Sequence, residues 1–547
     1  MENSFMTFNL RLKKVFWPLF LAMIIAIFPG CSREHYKAEA DEEVYNIINS
    51  KWQDDFGNKA NYTISDAPAE ANDLQIEKAI PTEPVSLAEA VGMATAYNRD
   101  YQNQKESLYL TTLDLTLRRH RYAPQWFGTI DGSYSKSTDS SGNNLEETSI
   151  GSSAGFDQTH LLSGGALIST SLAVNWVRFL IGDPRTSLGS VLSATAAVPL
   201  LGAGAGKVEL EQLTQAEREV LYRIRTFNRY RKTFVVSIIN EYYRVLQQRD
   251  SVTNAKNNYE RTVENQNRLE MMAEAGRIAG SSVDESQQNV LRAEDSYVAA
   301  VQRYEQLLDE FKIILALPTD ANLTLDQNEL TALEDIKMEE FDYTAKAGIE
   351  TALVSRLDLA NNTDRVDDSV RKVKLAAEGL GPELNLIGGA DVDSGEGTVF
   401  TRLEFDNGDY VAGFEADLPL DRKAERNAYR EALITLEQRQ REYENSVDRV
   451  KFDVRQAHRK LQEAKDAYTI RKNSLDLASK RVETNKLLLD AGRVEVRIVL
   501  ESQDALVQAQ NDVTAALVDY TIAKLVFFRD TGILQVRPDG MWEEKVQ

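Results

Sequence analysis

One cysteine, four histidines and 12 prolines in 547 residues leave little for several kinds of chemistry. The lone Cys31 rules out a disulfide framework and every cysteine-cluster metal site. His35, His120, His160 and His458 are too scattered for an imidazole-based zinc or catalytic centre. No nucleophile, base and orienting group fall in a recognisable frame, so an enzyme is the least favoured class, with no metal or catalytic residue expected. Positive charge is scarce as well: 63 Lys and Arg face 85 Asp and Glu, a formal net charge of −22. That balance argues against nucleic acid as a partner, because phosphate binding needs clustered basic residues. No internal segment reaches the roughly 18–20 apolar residues of a membrane-spanning helix. If the processed chain crosses a membrane, it does so as strands.

What is present begins with a targeting pattern. Arg11, Lys13 and Lys14 precede an apolar run at 15–28, which at 14 residues is too short to span a bilayer and ends in Pro29-Gly30-Cys31. Residues 1–30 read as a signal peptide. The small residue before the cysteine resembles a bacterial lipoprotein signal, which implies acylation of Cys31 as the first mature residue. Ser32, rather than an aspartate, follows it, which by the same resemblance favours the outer membrane. No cofactor other than that lipid is expected. Without residues 1–30, which carry three bases and one acid, the net charge is near −24. Residues 31–85 are polar and acidic and read as an extended lipidated arm with one short helix near 40–52.

Self-comparison shows a duplication. Ala94-x3-Asn98-x-Asp100 corresponds to Ala352-x3-Arg356-x-Asp358, and Ala123-Pro124 to Gly381-Pro382, both at an offset of 258. Val198-Pro199-Leu200 corresponds to Leu418-Pro419-Leu420. Ala275-Gly276-Arg277 followed by Glu285-Ser286-Gln287 recurs as Ala491-Gly492-Arg493 followed by Glu501-Ser502-Gln503, at a constant offset of 216. The chain is a tandem repeat of helix, strands, long helix, turn and helix.

Segments 207–274 and 424–490 contain neither proline nor glycine and are rich in strong helix formers; continuous helices there would each reach about 100 Å. In the second, Ala432, Leu436, Tyr443, Val447, Val450, Val454, Ala457, Leu461, Ala464 and Tyr468 fall mostly at steps of four and three, a coiled-coil seam. Leu506, Ala509, Val513, Ala516, Tyr520, Ala523 and Phe527 repeat those steps on the returning helix.

Between the helices lie strand-like blocks at 125–200 and 383–419. Phe127, Thr129 and Asp131 alternate with Gly128, Ile130 and Gly132, and Leu403, Phe405, Tyr410, Val411 and Phe414 mark the second block, with turn-rich stretches at 139–144, 391–397 and 406–408. Such alternation suits barrel strands with one face to lipid and one to a polar lumen. One block cannot close a barrel, and an open sheet edge in a bilayer is costly, so closure must come from other subunits. Tyr122, Trp126, Tyr134 and Trp176 are candidates for an interfacial aromatic girdle.

Over about residues 86–535 the chain resembles the TolC-like outer-membrane efflux proteins, specifically the lipid-anchored type. The resemblance rests on the duplication, on Arg356-Leu357-Asp358-Leu359, on Pro199 and Pro419, and on both Ala-Gly-Arg turns. It implies a mostly α fold with a membrane β-barrel: internally duplicated α-helical hairpins forming a trimeric α-barrel, joined to a transmembrane β-barrel closed by several subunits, twelve strands in all and four from each chain. The implied partners are two further copies of the chain, a periplasmic adaptor (membrane fusion) protein, an inner-membrane transporter and outer-membrane lipid. The implied location is the Gram-negative outer membrane, reaching into the periplasm. Gly276, Arg277, Gly492 and Arg493 match the hairpin tips that meet the adaptor and gate the duct. Of the family's acidic pair after the second tip, Glu501 matches one position and Ile498 occupies the other. A ring of three Glu501 carboxylates is the pore role this implies, against a plain solvated helix face, with Glu285 as its counterpart in the first repeat.

The expected division is a signal peptide (1–30), the arm (31–85), a first repeat (86–316), an equatorial segment (317–345), a second repeat (346–535) and a tail (536–547). The first repeat comprises helix 86–122, strands 125–200 and a hairpin 207–316 with its tip near 276–282. The second comprises helix 346–380, strands 383–419 and a hairpin 423–530 with its tip near 491–497. Pro124 to Pro199 is 38 residues longer than Pro382 to Pro419. Longer extracellular loops, an added hairpin and extra barrel strands all remain open. The function implied is a passive duct for small molecules in a tripartite efflux system. The duct of a type I protein-secretion system, and a structural periplasmic coiled-coil lipoprotein, are the alternatives.

Overall fold

The computed structural model describes residues 32–53, 56, 59, 61–64, 83–138, 144–181, 186–335, 343–394, 401–418, 420–537 and 542–544. The signal peptide, Cys31 and Pro419 lie outside them.

Two helical hairpins set the length of the molecule. Helix α4 (Ala205–Glu274) runs 70 residues and turns back into α5 (Gly280–Ile314); α9 (Lys423–Asp490) runs 68 residues and turns back into α10 (Val496–Thr531). At 1.5 Å per residue the two long helices each reach about 100 Å. Along the second hairpin the seam is real: Val450, Val454, Ala457, Leu461, Ala464 and Tyr468 of α9 are buried, as are Ala509, Ala516, Tyr520, Ala523 and Phe527 of α10.

Each repeat begins with a helix pair rather than with the single helix expected. In the first, α2 (Leu87–Tyr97) gives way at Asn98 to α3 (Arg99–His120); in the second, α7 (Ala345–Ser355) gives way at Arg356 to α8 (Leu357–Glu378). Asn98 and Arg356, the aligned pair of the first sequence anchor, both take extended backbone and donate their N–H to Ala94 and Ala352, which are fully buried. The break is thus a repeated feature, solved twice with different side chains. Asn98 caps α3 through Oδ1 to the Tyr101 N–H at 3.0 Å and donates Nδ2 to the Ile314 carbonyl at 2.9 Å. Arg356 uses ion pairs, described below.

The arm departs from expectation. Its helix α1 spans Arg33–Lys51, longer than the short helix near 40–52, and buries Val44, Ile47 and Ile48. Those three are the i, i+3, i+4 stripe of its C-terminal half; the preceding turns carry no apolar face and so leave no period in the sequence. Lys51 anchors the helix end on Glu217 of α4 at 2.5 Å. Helix α6 (Asn328–Asp335) follows a bridge between Val85 and Leu325, beside which Tyr242 of α4 donates its hydroxyl to the Val85 carbonyl at 2.9 Å. Near the C-terminus a short ribbon pairs β7 (Leu534–Val536) with β8 (Trp542–Glu544), and Arg231 of α4 donates to the Val536 carbonyl at 2.7 Å.

The strand blocks form one antiparallel sheet in the order β1-β2-β3-β4-β5-β6. The first block supplies β1 (Gln125–Thr138), β2 (Asn144–Leu161), β3 (Leu167–Ile181) and β4 (Thr186–Leu201). The second supplies β5 (Glu383–Asp393) and β6 (Asp409–Asp417). This corrects the four strands per chain that the family resemblance implied. The 38 extra residues make an added hairpin inside the same sheet. An even number of added strands returns the chain to the helical side, so the duplication of the helices survives the insertion.

Candidate functional site: hairpin tips and sheet faces

Both tips are Schellman turns. Arg277 N–H reaches the Met272 carbonyl and Gly276 N–H the Ala273 carbonyl, each at 2.9 Å; Arg493 to Leu488 and Gly492 to Leu489 repeat the pattern at the same distances. The reversal needs positive φ, and Gly276 and Gly492 supply it at +73° and +68°. A Cβ at either would meet nothing within 4 Å, so the glycines are there for backbone conformation and not for space. Arg277 and Arg493 are exposed, and among the described residues neither guanidinium makes a hydrogen bond or ion pair.

The two tips are fastened to each other. Leu269 of α4 is buried against Val496 and Leu500 of α10, with Met272, Ile278 and Leu489 around them. Arg268 of α4 forms an ion pair with Asp490 at the end of α9. Further up, Asn265 donates to Gln503 at 3.1 Å and Asn254 to Asn511 at 3.0 Å. Sequence reasoning missed the Arg268–Asp490 pair for a definite reason. At the repeat offset Arg268 corresponds to Thr484 and Asp490 to Glu274, so the contact is absent from the symmetry that exposed the tips.

Of the two glutamates, Glu285 is half-buried on α5 and Glu501 is exposed on α10, where Arg497 approaches it at 3.5 Å. The serine between glutamate and glutamine is the inward residue of both repeats: Ser286 and Ser502 are buried, and Ser502 donates to the Val499 carbonyl at 2.7 Å. Small side chains there let helices approach, which accounts for the repeated Glu-Ser-Gln run without a pore role for its serine.

Arg356 lies away from the tips and is buried. It grips Asp358 through Nε at 3.1 Å and Nη2 at 2.7 Å, and reaches Asp453 of α9 through Nη1 at 3.0 Å. Burial pushes the Asp358 carboxyl up, but the two-pronged guanidinium, with Arg229 nearby, holds it below the ordinary carboxylate range. The Arg-Leu-Asp-Leu run is therefore a clamp between α8 and α9.

The sheet carries the other half of the site. Paired strands place partners on the same face, and the register gives one row across all six strands: Gln125, Asp157, Ser171, Ser193, Asp391 and Asp409. The adjoining row, on the opposite face, is Trp126, Phe156, Leu172, Leu192 and Val392. Odd-numbered positions are mostly polar or small, Phe127, Val177, Val191, Ile387 and Val411 being among the exceptions, with hydroxyl pairs such as Thr129 with Ser153 at 2.6 Å and Ser133 with Ser149 at 2.8 Å. Even-numbered positions are predominantly apolar, and in the single chain several are open to solvent: Trp126 is 79% exposed, Ile130 78% and Phe414 70%, whereas Val392 is buried. Trp126 and Tyr134, with Trp176, share that apolar face. Tyr122 does not: it lies before the sheet and donates its hydroxyl to Glu209 of α4 at 2.9 Å.

A family model described as outer membrane efflux protein matches residues 348–526, from α7 to the last turns of α10. Over that third of its length the chain is similar to the outer membrane efflux proteins. Its fold is also that of solved outer-membrane channels. With the Campylobacter jejuni CmeC outer membrane channel it shares 14% identity at a TM-score of 0.60, over 84% of this chain and 87% of that one. With the open-state Neisseria gonorrhoeae MtrE channel the figures are 12%, 0.58, 82% and 88%. With VceC of Vibrio cholerae they are 10%, 0.56, 82% and 96%. No curated protein matches the chain in sequence. Outer membrane efflux proteins are channels of the Gram-negative outer membrane that reach into the periplasm, and they are ducts rather than enzymes.

Proposed function

We propose that three copies of this chain form a passive duct, the sheets set in the outer membrane and the helical hairpins in the periplasm, through which small molecules leave a tripartite pump. The observation that carries the reading is the two-faced sheet: a predominantly apolar face, open to solvent at Trp126, Ile130 and Phe414, and a mostly polar face behind it, attached to helices too polar to enter a bilayer. Among the described residues no helix is long and apolar enough to cross a membrane. A purely structural coiled-coil spacer has no use for such a sheet.

Within this reading the polar face lines the lumen and the apolar face meets lipid. The tips are the docking and gating end. Gly276 and Gly492 turn the helices, and Arg277 and Arg493, unengaged within the chain, are offered to carboxylates or carbonyls of the adaptor. Glu501 is the acidic candidate at the constriction, and acylation of Cys31 adds a lipid anchor. Reconstitution tests the whole. A purified trimer is expected to conduct ions across a planar bilayer, and more readily with Arg268→Ala, which removes the tie between the tips. Silence from wild type and variant, with no trimer in detergent, would remove the channel reading.

A further inference from the structure

Resting on the trimer proposed above, we infer that this chain closes an eighteen-stranded barrel, each subunit contributing all six strands, with β1 of one copy paired to β6 of the next. The alternative is a narrower barrel that leaves the added hairpin outside the wall.

Three observations favour full incorporation. First, the six strands are hydrogen-bonded neighbours in one sheet with no strand skipped. A hairpin lying outside the wall would have to break the β2–β3 or the β4–β5 ladder, each of which runs ten or more residue pairs. Second, the faces agree across the insertion. The polar row runs from Gln125 on β1 to Asp409 on β6, and the apolar row from Trp126 crosses to Val392 on β5. A one-residue slip within these rows would exchange the faces; the register shifts between Thr148 and Ser149 and between Pro199 and Leu201 lie beyond them, and the rows stay in step. Third, β1 carries some of the most exposed apolar side chains in the sheet, Trp126 and Ile130. A hairpin hanging in water would not hold tryptophan and isoleucine on the face that the other strands turn to lipid. Strands β1 to β4, at 14 to 18 residues, also exceed the roughly 9–11 needed to cross a bilayer.

The sheet leaves two open edges, β1 and β6. Unpaired backbone groups in hydrocarbon are untenable, so each edge must find a partner, and the partner available in a symmetric ring is the other edge of an identical chain. Three sheets of six then give eighteen strands. Barrel diameter grows roughly linearly with strand number, so the membrane end is about 1.5 times as wide as a twelve-stranded one. Passage is then limited at the hairpin tips and not at the outer mouth.

Electron cryo-microscopy of the purified full-length trimer in lipid nanodiscs counts the strands: eighteen is the expected result, and twelve, with a hairpin outside the wall, overturns the inference. Cysteine cross-linking in native envelopes checks the seam, with Cys31 alone as background. Thr129→Cys or Ser133→Cys on β1, combined with Val411→Cys or Gly413→Cys on β6, is expected to give covalent trimers. Cross-linking of β6 to Asn175→Cys on β3, with none to β1, rejects it. A chain that never assembles as a trimer by native mass spectrometry defeats the proposed function instead, a result distinct from a trimer with another strand count.

Discussion

Arg268 and Asp490, 222 positions apart, join the end of the first long helix to the end of the second. They are the ionic tie between the two hairpin tips, set over the apolar contact of Leu269 with Val496 and Leu500. Any opening that spreads the hairpins has to break it. Both side chains are about two-fifths exposed, so the pair contributes only about 0.2–1 kcal/mol. Arg268→Ala or Asp490→Ala is therefore expected to raise open probability in bilayer recordings by a factor of about 1.4 to 5 per subunit. The exchanged pair, Arg268→Asp with Asp490→Arg, is expected to restore the closed state. If the exchange opens the duct as far as either single change does, the contact is not a clamp.

Gly276→Ala and Gly492→Ala test whether the tips need glycine for conformation alone. A Cβ has room at both sites, so the cost is that of the left-handed backbone, about 1–2 kcal/mol each. Asparagine, which tolerates that conformation, is expected to recover much of the loss. Denaturant unfolding measures it, and an equal loss for alanine and asparagine would point to packing instead.

How far such features were readable in advance depended on how local their causes are. The tips were legible because a helix reversal with positive φ needs glycine at one position, and Gly276 and Gly492 recur at a fixed offset. The seam from Val450 to Tyr468 was legible because burial imposes its period on a long helix. Alternation announced strands around Phe127 and Phe414 but not how many, since strand number is set by where turns fall and which ladders form. The helix break at Asn98 and Arg356 was hidden by the side chains that stabilise it: an amide cap in one repeat, a guanidinium clamp in the other. The Arg268–Asp490 tie depends on how two hairpins dock, which no local pattern records.

Arg356 is the buried centre of the clamp between α8 and α9, and its loss strands two carboxylates. Asp358 and Asp453 retain some access to water, which places Arg356→Ala near the low end for a broken buried pair, about 3 kcal/mol. Lysine cannot reproduce the bidentate grip and is expected to rescue only in part. The pH dependence has a definite sign. Because the folded pKa of Asp358 is depressed, its contribution is complete above the unfolded value near 4 and is lost as pH falls through the lower folded value. Acid unfolding of wild type should thus gain slope below about pH 4, and Arg356→Ala should lack that component. Parallel acid limbs in both proteins would contradict the assignment.

Ion preference follows from the polar face of the sheet. Asp131, Asp157, Asp391, Asp409, Glu415 and Asp417 stand at its odd-numbered positions, and no lysine or arginine of the six strands does. Three copies around one lumen make a wall of a single sign, so the duct is expected to favour cations. The preference should weaken with salt, because the screening length falls from about 10 Å at 0.1 M to about 3 Å at 1 M. Reversal potentials across a KCl gradient measure it. Replacing Asp131, Asp157 and Asp391 by asparagine should shift them toward neutrality. Glu501→Gln separates the two possible filters. If the sheet substitutions leave selectivity intact and Glu501→Gln abolishes it, ions are sorted at the hairpin tips; the converse places sorting at the outer wall. A preference for anions in the wild type would mean that the acidic face does not line the path at all.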